Sequence, residues 1–245
     1  MRLTELGAMP PRTLEPELMD GTADDLDEWA RALAKMSQAN RWLGGQRALK
    51  AHLRPLLRSA PRARVLDVGT GNARTPARLR RWAEQCGLQW TVIGLDPNPQ
   101  TLSVARRAWS LGPVPLVRGD GLTLPFANDT FDAVLCMLMI HHFDDSGAVR
   151  LVREMARVSR GLVLVNDLER TRPNYLGAQL LAETLWRGDR LARYDGPASV
   201  RRAFTAEELL AIGKEADLEN ARVGRHFFYR VVLSGGVVAS GSVAS

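Results

Sequence analysis

The stretch from Val65 to Ala73, VLDVGTGNA, constrains the fold more than any other part of the chain. A run typical of a buried strand contains Asp67 and leads into Gly69 and Gly71, which are separated by one residue. Glycines in such a turn let a ligand approach the backbone closely, and in α/β proteins this turn follows the first strand. The stretch therefore predicts a ligand site at the edge of a parallel sheet.

The same stretch argues against a dinucleotide as the ligand. The third glycine of the dinucleotide fingerprint is replaced by Arg74, and Asp67 places negative charge where a pyrophosphate would lie. A cationic ligand without phosphate fits better. S-adenosylmethionine is such a ligand, because a carboxylate attracts its amino group and its sulfonium.

Two later strand-like runs also end in carboxylates. GLDPNP contains Asp96 and Pro97, and Asp96 is predicted to accept hydrogen bonds from both ribose hydroxyls of the cofactor. VRGDGLTLPF contains Asp120, predicted to bind the adenine amino group, and Leu122, predicted to pack against the ring. One such carboxylate could simply cap a helix, whereas three at the ligand-binding edge of an open sheet favour a cofactor site.

The rest of the chain suggests how this sheet is completed. Apolar β-type runs alternate with amphipathic stretches from Arg64 to about Val165, as in a parallel sheet with crossover helices. Two helices are predicted before residue 61, the second interrupted before Pro55. A helical insertion at residues 168–204 is predicted to act as a lid. A β-hairpin and a flexible tail of residues 236–245 follow.

VLDVGTGNA, GLDPNP and GDGLTLPFANDTFDAVLCMLMIHHF together resemble the motifs of the class I S-adenosylmethionine-dependent methyltransferases. The resemblance implies an α/β, doubly wound, seven-stranded sheet of order 3-2-1-4-5-7-6 over residues 61–235, with the last strand antiparallel. It also implies S-adenosylmethionine as cofactor, and residues 1–60 as a helical lead-in that covers it. The cofactor-binding residues that it implies are Asp67, Gly69, Gly71, Asp96, Pro97, Asp120, Gly121, Leu122 and, from a more distant likeness of the lead-in to small-molecule methyltransferases, Arg47. Ala73 stands where the family usually has a third glycine.

Charge and cysteine content limit the remaining classes. The net charge of +6 comes from scattered arginines, with lysine only at positions 35, 50 and 214, so nucleic acid is not indicated as a partner. Cys86 and Cys136 form no metal-binding pattern and are predicted to be buried thiols, so no metal site is expected. No apolar run reaches membrane-spanning length, and a cytoplasmic location is expected.

The acceptor is predicted to be a small molecule. The motif of enzymes that methylate DNA amines is absent after the fourth strand, and neither cysteine suits covalent chemistry on cytosine. His141, His142 and Tyr194 are predicted as catalytic residues. An unperturbed histidine, with a pKa of about 6.5, can accept the proton of a phenol, and His141 is preferred as the general base because it comes first after the apolar run. The predicted reaction is methyl transfer to oxygen or carbon of a phenolic, quinone-like, polyketide or lipid-like acceptor.

Two other functions stay open from the sequence. An RNA or protein methyltransferase is compatible with the basic charge, although no additional recognition domain is visible. A cofactor-binding protein without catalysis is also compatible, because the motifs report binding and not turnover. The oligomeric state does not follow from the sequence.

Overall fold

A computed structural model describes residues 11–22, 24–107 and 112–236. The tail predicted at residues 236–245 lies outside the described residues except for Gly236, as do the first ten residues of the lead-in. The strands are β1 (Arg62–Val68), β2 (Gln89–Asp96), β3 (Leu116–Arg118), β4 (Phe131–Met137), β5 (Ser159–Leu168), β6 (Arg222–His226) and β7 (Arg230–Gly235). The α-helices are α1 (Leu26–Trp42), α2 (Gly45–Ser59), α3 (Arg74–Gln85), α4 (Pro99–Arg107), α5 (Asp145–Val158), α6 (Arg172–Glu183), α7 (Arg190–Arg202) and α8 (Ala206–Glu215). Two single 3₁₀ turns cover Leu18–Asp20 and Ile140–His142.

The strands form one seven-stranded sheet in the order β3-β2-β1-β4-β5-β7-β6. Strand β1 pairs in parallel with β2 and β4, whereas β7 pairs antiparallel with β5 and with β6. The order, the antiparallel last strand and the terminal hairpin are those predicted from the sequence. The carboxyl ends of β1, β2 and β4 consequently lie side by side at one edge of the sheet.

Alternating apolar residues bury both faces of the sheet. On one face, Leu66 and Val68 of β1 pack in a cluster that includes residues of α5 and α8. On the other face, Val65 packs in a cluster that includes residues of α2 and α3. Helices on both faces explain why the central strands are apolar on both sides, as is usual for parallel sheets. No α-helix among the residues just described is long and apolar enough to cross a lipid bilayer.

Three local predictions were wrong. Helix α2 continues through Pro55. Proline has no N–H, so the carbonyl of Ala51 lacks its helical hydrogen bond, but both residues are exposed and water can donate to that carbonyl instead. The apolar run FDAVLCMLMI predicts a fourth strand that reaches Ile140, but β4 ends at Met137, since Leu138 adopts a left-handed backbone with φ of 55°. Cys86 is exposed at the end of α3, although Cys136 is buried as predicted.

The lead-in and the insertion lie over the same edge of the sheet. The backbone carbonyl of Leu33 in α1 accepts a hydrogen bond of 3.0 Å from the side chain of Asn72, in the turn after β1. Ser37 Oγ donates to Asn72 Oδ1 at 2.9 Å. The insertion folds into α6 and α7, and α7 packs against α1. Both segments therefore flank the glycine turn.

Candidate active site

The glycine turn has no room for larger side chains. Gly69 and Gly71 have positive φ angles of 71° and 55°. A Cβ atom on Gly69 would lie 2.2 Å from Sδ of Met139, so the turn and the segment after β4 are in direct contact. Ala73 also has a positive φ, 53°, a left-handed conformation that costs a residue with a Cβ atom about 1–2 kcal/mol.

Asp67 lies at the end of β1 and is almost fully buried. Its Oδ2 accepts a hydrogen bond of 2.8 Å from Thr70 Oγ1, whereas its buried Oδ1 has no protein partner. Burial raises the pKa of Asp67 to about 7, against the hydrogen bond from Thr70. A buried carboxylate oxygen without a partner is a suitable acceptor for the ammonium group of the methionine part of S-adenosylmethionine.

Asp96 follows β2 and stabilises the same turn. Its two oxygens each accept a backbone N–H at 3.0 Å, Oδ2 from Gly71 and Oδ1 from Asn98. Burial raises the pKa of Asp96, and those two hydrogen bonds oppose the rise. Each oxygen retains a second lone pair for a ribose hydroxyl, so the predicted role of Asp96 is compatible with its contacts.

The remaining predicted cofactor residues lie at the same edge. Asp120 is exposed after β3, and its Oδ1 accepts the backbone N–H of Leu122 at 2.9 Å. Gly121 is buried, and a Cβ atom there would lie 3.1 Å from Cε of Met139. Pro97 is exposed next to Asp96. Met139 therefore packs against both Gly69 and Gly121, and we call these three residues the cofactor cradle.

Arg47 is exposed on α2, and its role toward the methionine carboxylate stays a prediction. The residue before it, Gln46, contacts the start of α3 through a 3.2 Å hydrogen bond to Thr75 Oγ1.

A cavity of about 460 Å³ lies beside this cofactor edge. Its lining is mostly apolar and comes from α1, from the insertion helices, and from the β6–β7 turn. Apolar lining residues include Met36, Leu138, Leu181, Trp186, Val200 and Phe228. The polar residues Glu17, His141 and His142 form a cluster in the same lining. The segment from Leu138 to His142 thus lies between the cofactor cradle and the cavity, with Met139 on the cradle side.

The two histidines do not alternate across a strand. Both lie in the 3₁₀ turn after β4, their rings are 4.4 Å apart between centroids, and both line the cavity. On a strand that continued through residue 142, only one imidazole could have entered the cleft. Both line the cavity because the strand ends before them.

His141 is poorly suited to the predicted role of general base. It is buried, and its Nδ1 lies 2.8 Å from Asp167 Oδ1 while its Nε2 lies 3.4 Å from Glu17 Oε1. Burial alone lowers the pKa of His141, but the charges and hydrogen bonds of Asp167 and Glu17 raise it to about 10. A histidine that already carries its second proton at neutral pH cannot accept one from the acceptor. Of the two, His142 is the histidine that the geometry favours as a base.

Tyr194 does not belong to this cavity. Its side chain is 50% exposed on α7 and lines a separate surface groove with Arg190 and Arg193. The neighbouring Asp195 is fully buried and accepts the backbone N–H groups of Leu18 and Met19, so it stabilises the 3₁₀ turn there.

Sequence reasoning missed three carboxylates around the histidines. Asp167 follows the strand-like run GLVLV and could have been found by the rule that located Asp96, since both end a parallel strand. Glu17 and Asp20 come from the segment before α1, about 120 residues from the histidines in sequence, and no motif surrounds them. Only the fold brings them to the cavity.

Comparisons with known proteins agree with this geometry. A family model described as a methyltransferase domain matches residues 65–161. The demethylmenaquinone methyltransferase of Mycolicibacterium paratuberculosis is 32% identical over 203 residues, which cover 80% of this chain and 82% of that protein. A possible histamine N-methyltransferase from Thermotoga maritima superposes with a TM-score of 0.56 at 19% identity, over 86% of this chain and 99% of that one. An O-methyltransferase family 2 protein from Planctomyces limnophilus, solved in complex with apigenin, superposes with a TM-score of 0.62 at 18% identity, over 89% of this chain and 63% of that one.

The chain belongs to the class I S-adenosylmethionine-dependent methyltransferases. It is a methyltransferase whose cofactor is S-adenosylmethionine, and the unpartnered Asp67 oxygen together with the cofactor cradle fits that cofactor.

Cofactor affinity is expected to depend on pH through Asp67. Below about pH 7 the free protein holds a proton on this carboxyl, which must be lost before the ammonium can pair with it. The affinity for S-adenosylmethionine should therefore rise between about pH 5.5 and pH 8, by close to tenfold per unit in the lower part of that range. Calorimetric titrations across this range measure the effect.

The Asp67→Asn variant is the matched control for that experiment. It is expected to bind S-adenosylmethionine about 10- to 100-fold more weakly at pH 8, and with little dependence on pH. A variant that binds as tightly as the wild type, with the same pH profile, would remove Asp67 from the cofactor site.

Proposed function

We propose that this enzyme transfers a methyl group from S-adenosylmethionine to oxygen or carbon of a small, largely apolar phenolic or quinone-like acceptor. The observation that carries the proposal is the cavity of about 460 Å³, with its mostly apolar walls and one polar cluster of Glu17, His141 and His142. Its size is in the usual range for a small-molecule site. The relative from Mycolicibacterium paratuberculosis, a demethylmenaquinone methyltransferase by name, supports a quinone-like acceptor.

The cofactor and acceptor sites share one wall in this proposal. Met139 contacts the glycine turn, while Leu138 and the histidines face the cavity. Methyl transfer is a displacement in which the acceptor atom approaches the methyl carbon opposite the sulfur, so both sites must open onto one another. The apolar walls hold the ring of the acceptor, and the polar cluster orients the oxygen that it carries.

Helices α6 and α7 act as a lid in this proposal. Leu181 of α6, Val200 of α7 and Trp186 of the segment between them line the cavity. Leu176 and Leu180 on α6 are exposed. A lid that closes over the acceptor keeps water out during transfer.

Filling the cavity tests the proposal directly. Gly177 on α6 lines the cavity, and a Cβ atom there would meet nothing within 4 Å, so Gly177→Phe places a ring in the cavity without a backbone clash. The neighbouring residue Leu176 is exposed and does not line the cavity, so Leu176→Phe is the matched control. Tritiated cofactor is incubated with demethylated quinols, simple phenols and RNA.

The wild type and Leu176→Phe are expected to label a quinol or phenol, and Gly177→Phe to lose at least tenfold in kcat/KM for it with unchanged cofactor affinity. Labelling of RNA alone, or equal activity of Gly177→Phe and the wild type on every acceptor, would overturn the proposed acceptor site.

A further inference from the structure

Three metal-ligating side chains meet at the cavity wall. Glu17, His141 and His142 each offer one ligand atom, and these atoms lie within 4.8 Å of one another. Nε2 of His141 lies 3.4 Å from Glu17 Oε1, and Nε2 of His142 lies 4.0 Å from Glu17 Oε2. Ligands of a tetrahedral zinc ion are about 3.4 Å apart, so small rotations would bring all three to bonding distance.

The far side of each imidazole is held by a carboxylate. Asp167 Oδ1 lies 2.8 Å from Nδ1 of His141, and Asp20 Oδ1 lies 2.7 Å from Nδ1 of His142. Carboxylates that hold Nδ1 in this way fix the ring, an arrangement that recurs in metal sites. A metal ion at Nε2 would take the place of the second proton that His141 carries in the metal-free protein. Glu17 is oriented as well, because Ser199 Oγ donates to its Oε1 at 2.9 Å.

The surrounding charges also favour a cation between the three residues. Arg202 pairs with Asp20, and buried Arg230 acts on Asp167, so the outer carboxylates have cations of their own. Glu17 is buried, and among the residues that the structure describes its ion-pair partners are the two histidines. A buried carboxylate requires a cation or strong hydrogen bonds.

We propose that Glu17, His141 and His142 bind a divalent transition-metal ion, best matched by Zn²⁺, at the wall of the acceptor cavity. Two imidazoles and one carboxylate are a ligand set that zinc accepts with a further position left for water or substrate. The sequence predicts no metal site, because its cysteines form no metal-binding pattern. Glu17 lies about 120 residues before the two adjacent histidines, so no local pattern joins the three ligands.

The metal site deepens the proposed function and rests on it for its role. A bound zinc ion would take the acceptor hydroxyl as a ligand and favour its ionised form. The hydroxyl proton leaves to solvent, and the acceptor oxygen forms a bond to the methyl carbon. The carbon–sulfur bond of the cofactor breaks, its electron pair stays on sulfur, and S-adenosylhomocysteine is released.

Titration of the full chain, without an affinity tag and after treatment with a chelator, tests the site. Co²⁺ serves as the spectroscopic probe, and Zn²⁺ is then added to displace it. We expect one Co²⁺ per chain, with visible absorption bands that Zn²⁺ abolishes. His142→Ala should weaken Co²⁺ binding at least 100-fold, and Asp20→Asn about 10- to 100-fold through the lost orientation of His142.

The other two histidines supply the matched control. Nε2 of His52 lies 3.1 Å from Nε2 of His226, and neither of these residues lines the acceptor cavity. His226→Ala should leave Co²⁺ binding at the cluster unchanged, and cofactor affinity reports that each variant is folded. An absence of saturable Co²⁺ binding, or binding that His226→Ala abolishes and His142→Ala retains, would overturn the metal site.

Activity separates this inference from the proposed function. Zn²⁺ should restore methyl transfer to the chelated enzyme by at least tenfold. Full activity on a quinol or phenol in excess chelator would overturn the metal site and leave the acceptor assignment standing. Tight binding of one Co²⁺ without transfer to any phenol or quinol would overturn the acceptor assignment alone.

Discussion

Replacing His142 with alanine is expected to lower kcat by about 10²–10⁴-fold while the affinity for S-adenosylmethionine stays near that of the wild type. His142 is partly exposed in the 3₁₀ turn after β4 and lines the acceptor cavity. His142 would act either as a general base or as a metal ligand. In both cases it would act on the oxygen of the methyl acceptor and not on the cofactor. Single-turnover kinetics with a phenolic or quinol acceptor, together with calorimetric cofactor binding, measure the two effects separately.

One control makes that result specific. His226→Ala removes a partly buried histidine that does not line the cavity, and it should change kcat less than twofold. If His142→Ala retained more than a tenth of the wild-type kcat, methyl transfer would rely on proximity of the acceptor and methyl carbon alone, and His142 would have no catalytic role.

Replacing His141 with alanine is expected to have a different result, a fall of about 3–5 kcal/mol in the free energy of unfolding. His141 is buried between Glu17 and Asp167, which are themselves buried, and its removal leaves both carboxylates without their shared cation. Denaturant unfolding at pH 7 in the presence of a chelator measures the loss. His226→Ala, which removes a less buried imidazole, should cost no more than about 1 kcal/mol.

The pH dependence of that stabilisation has a defined sign. Because the pKa of His141 is raised in the folded protein to about 10, its contribution is fully present below the ordinary histidine pKa of about 6.5. It is lost as pH rises through about 10. The difference in unfolding free energy between wild type and His141→Ala should therefore shrink on the alkaline side of neutrality. A difference below 1 kcal/mol at pH 6 would contradict the ion-pair description.

The predicted loss of kcat in His142→Ala and the predicted loss of stability in His141→Ala give the two adjacent histidines different roles. His141 is enclosed by carboxylates and fixes the turn after β4 against the segment before α1, whereas His142 lies closer to solvent. The turn that they occupy begins where Leu138 adopts a left-handed backbone. That change of direction moves Met139 onto the glycine turn and both imidazoles toward the cavity. One short segment therefore lies between the cofactor cradle and the cavity.

The sequence by itself determined the sheet and its cofactor edge. Alternation of apolar residues sets which faces of β1 and β4 are buried, and the positions of Asp67 and Asp96 at strand ends place them at one edge in any parallel sheet. The turn at Gly69 and Gly71 is also predictable from the sequence, because a turn with positive φ and a close backbone approach requires residues without a side chain. The strands, the carboxylates at their ends and the glycine turn each depend on neighbours within a few residues, so the local sequence pattern predicts them.

Only the tertiary structure decided the acceptor side. Glu17 and Asp20 lie about 120 residues before the histidines that they contact, and Asp167 lies about 25 residues after them. Nothing in the sequence near Glu17 shows that it will face His141, and nothing near Tyr194 shows that it will face outward. The pKa of His141 also depends on distant segments, because the two carboxylates that raise it, Glu17 and Asp167, come from outside the turn. Charge interactions act through space and not along the chain, so the packing of α1, α7 and the turn after β4 had to be known first.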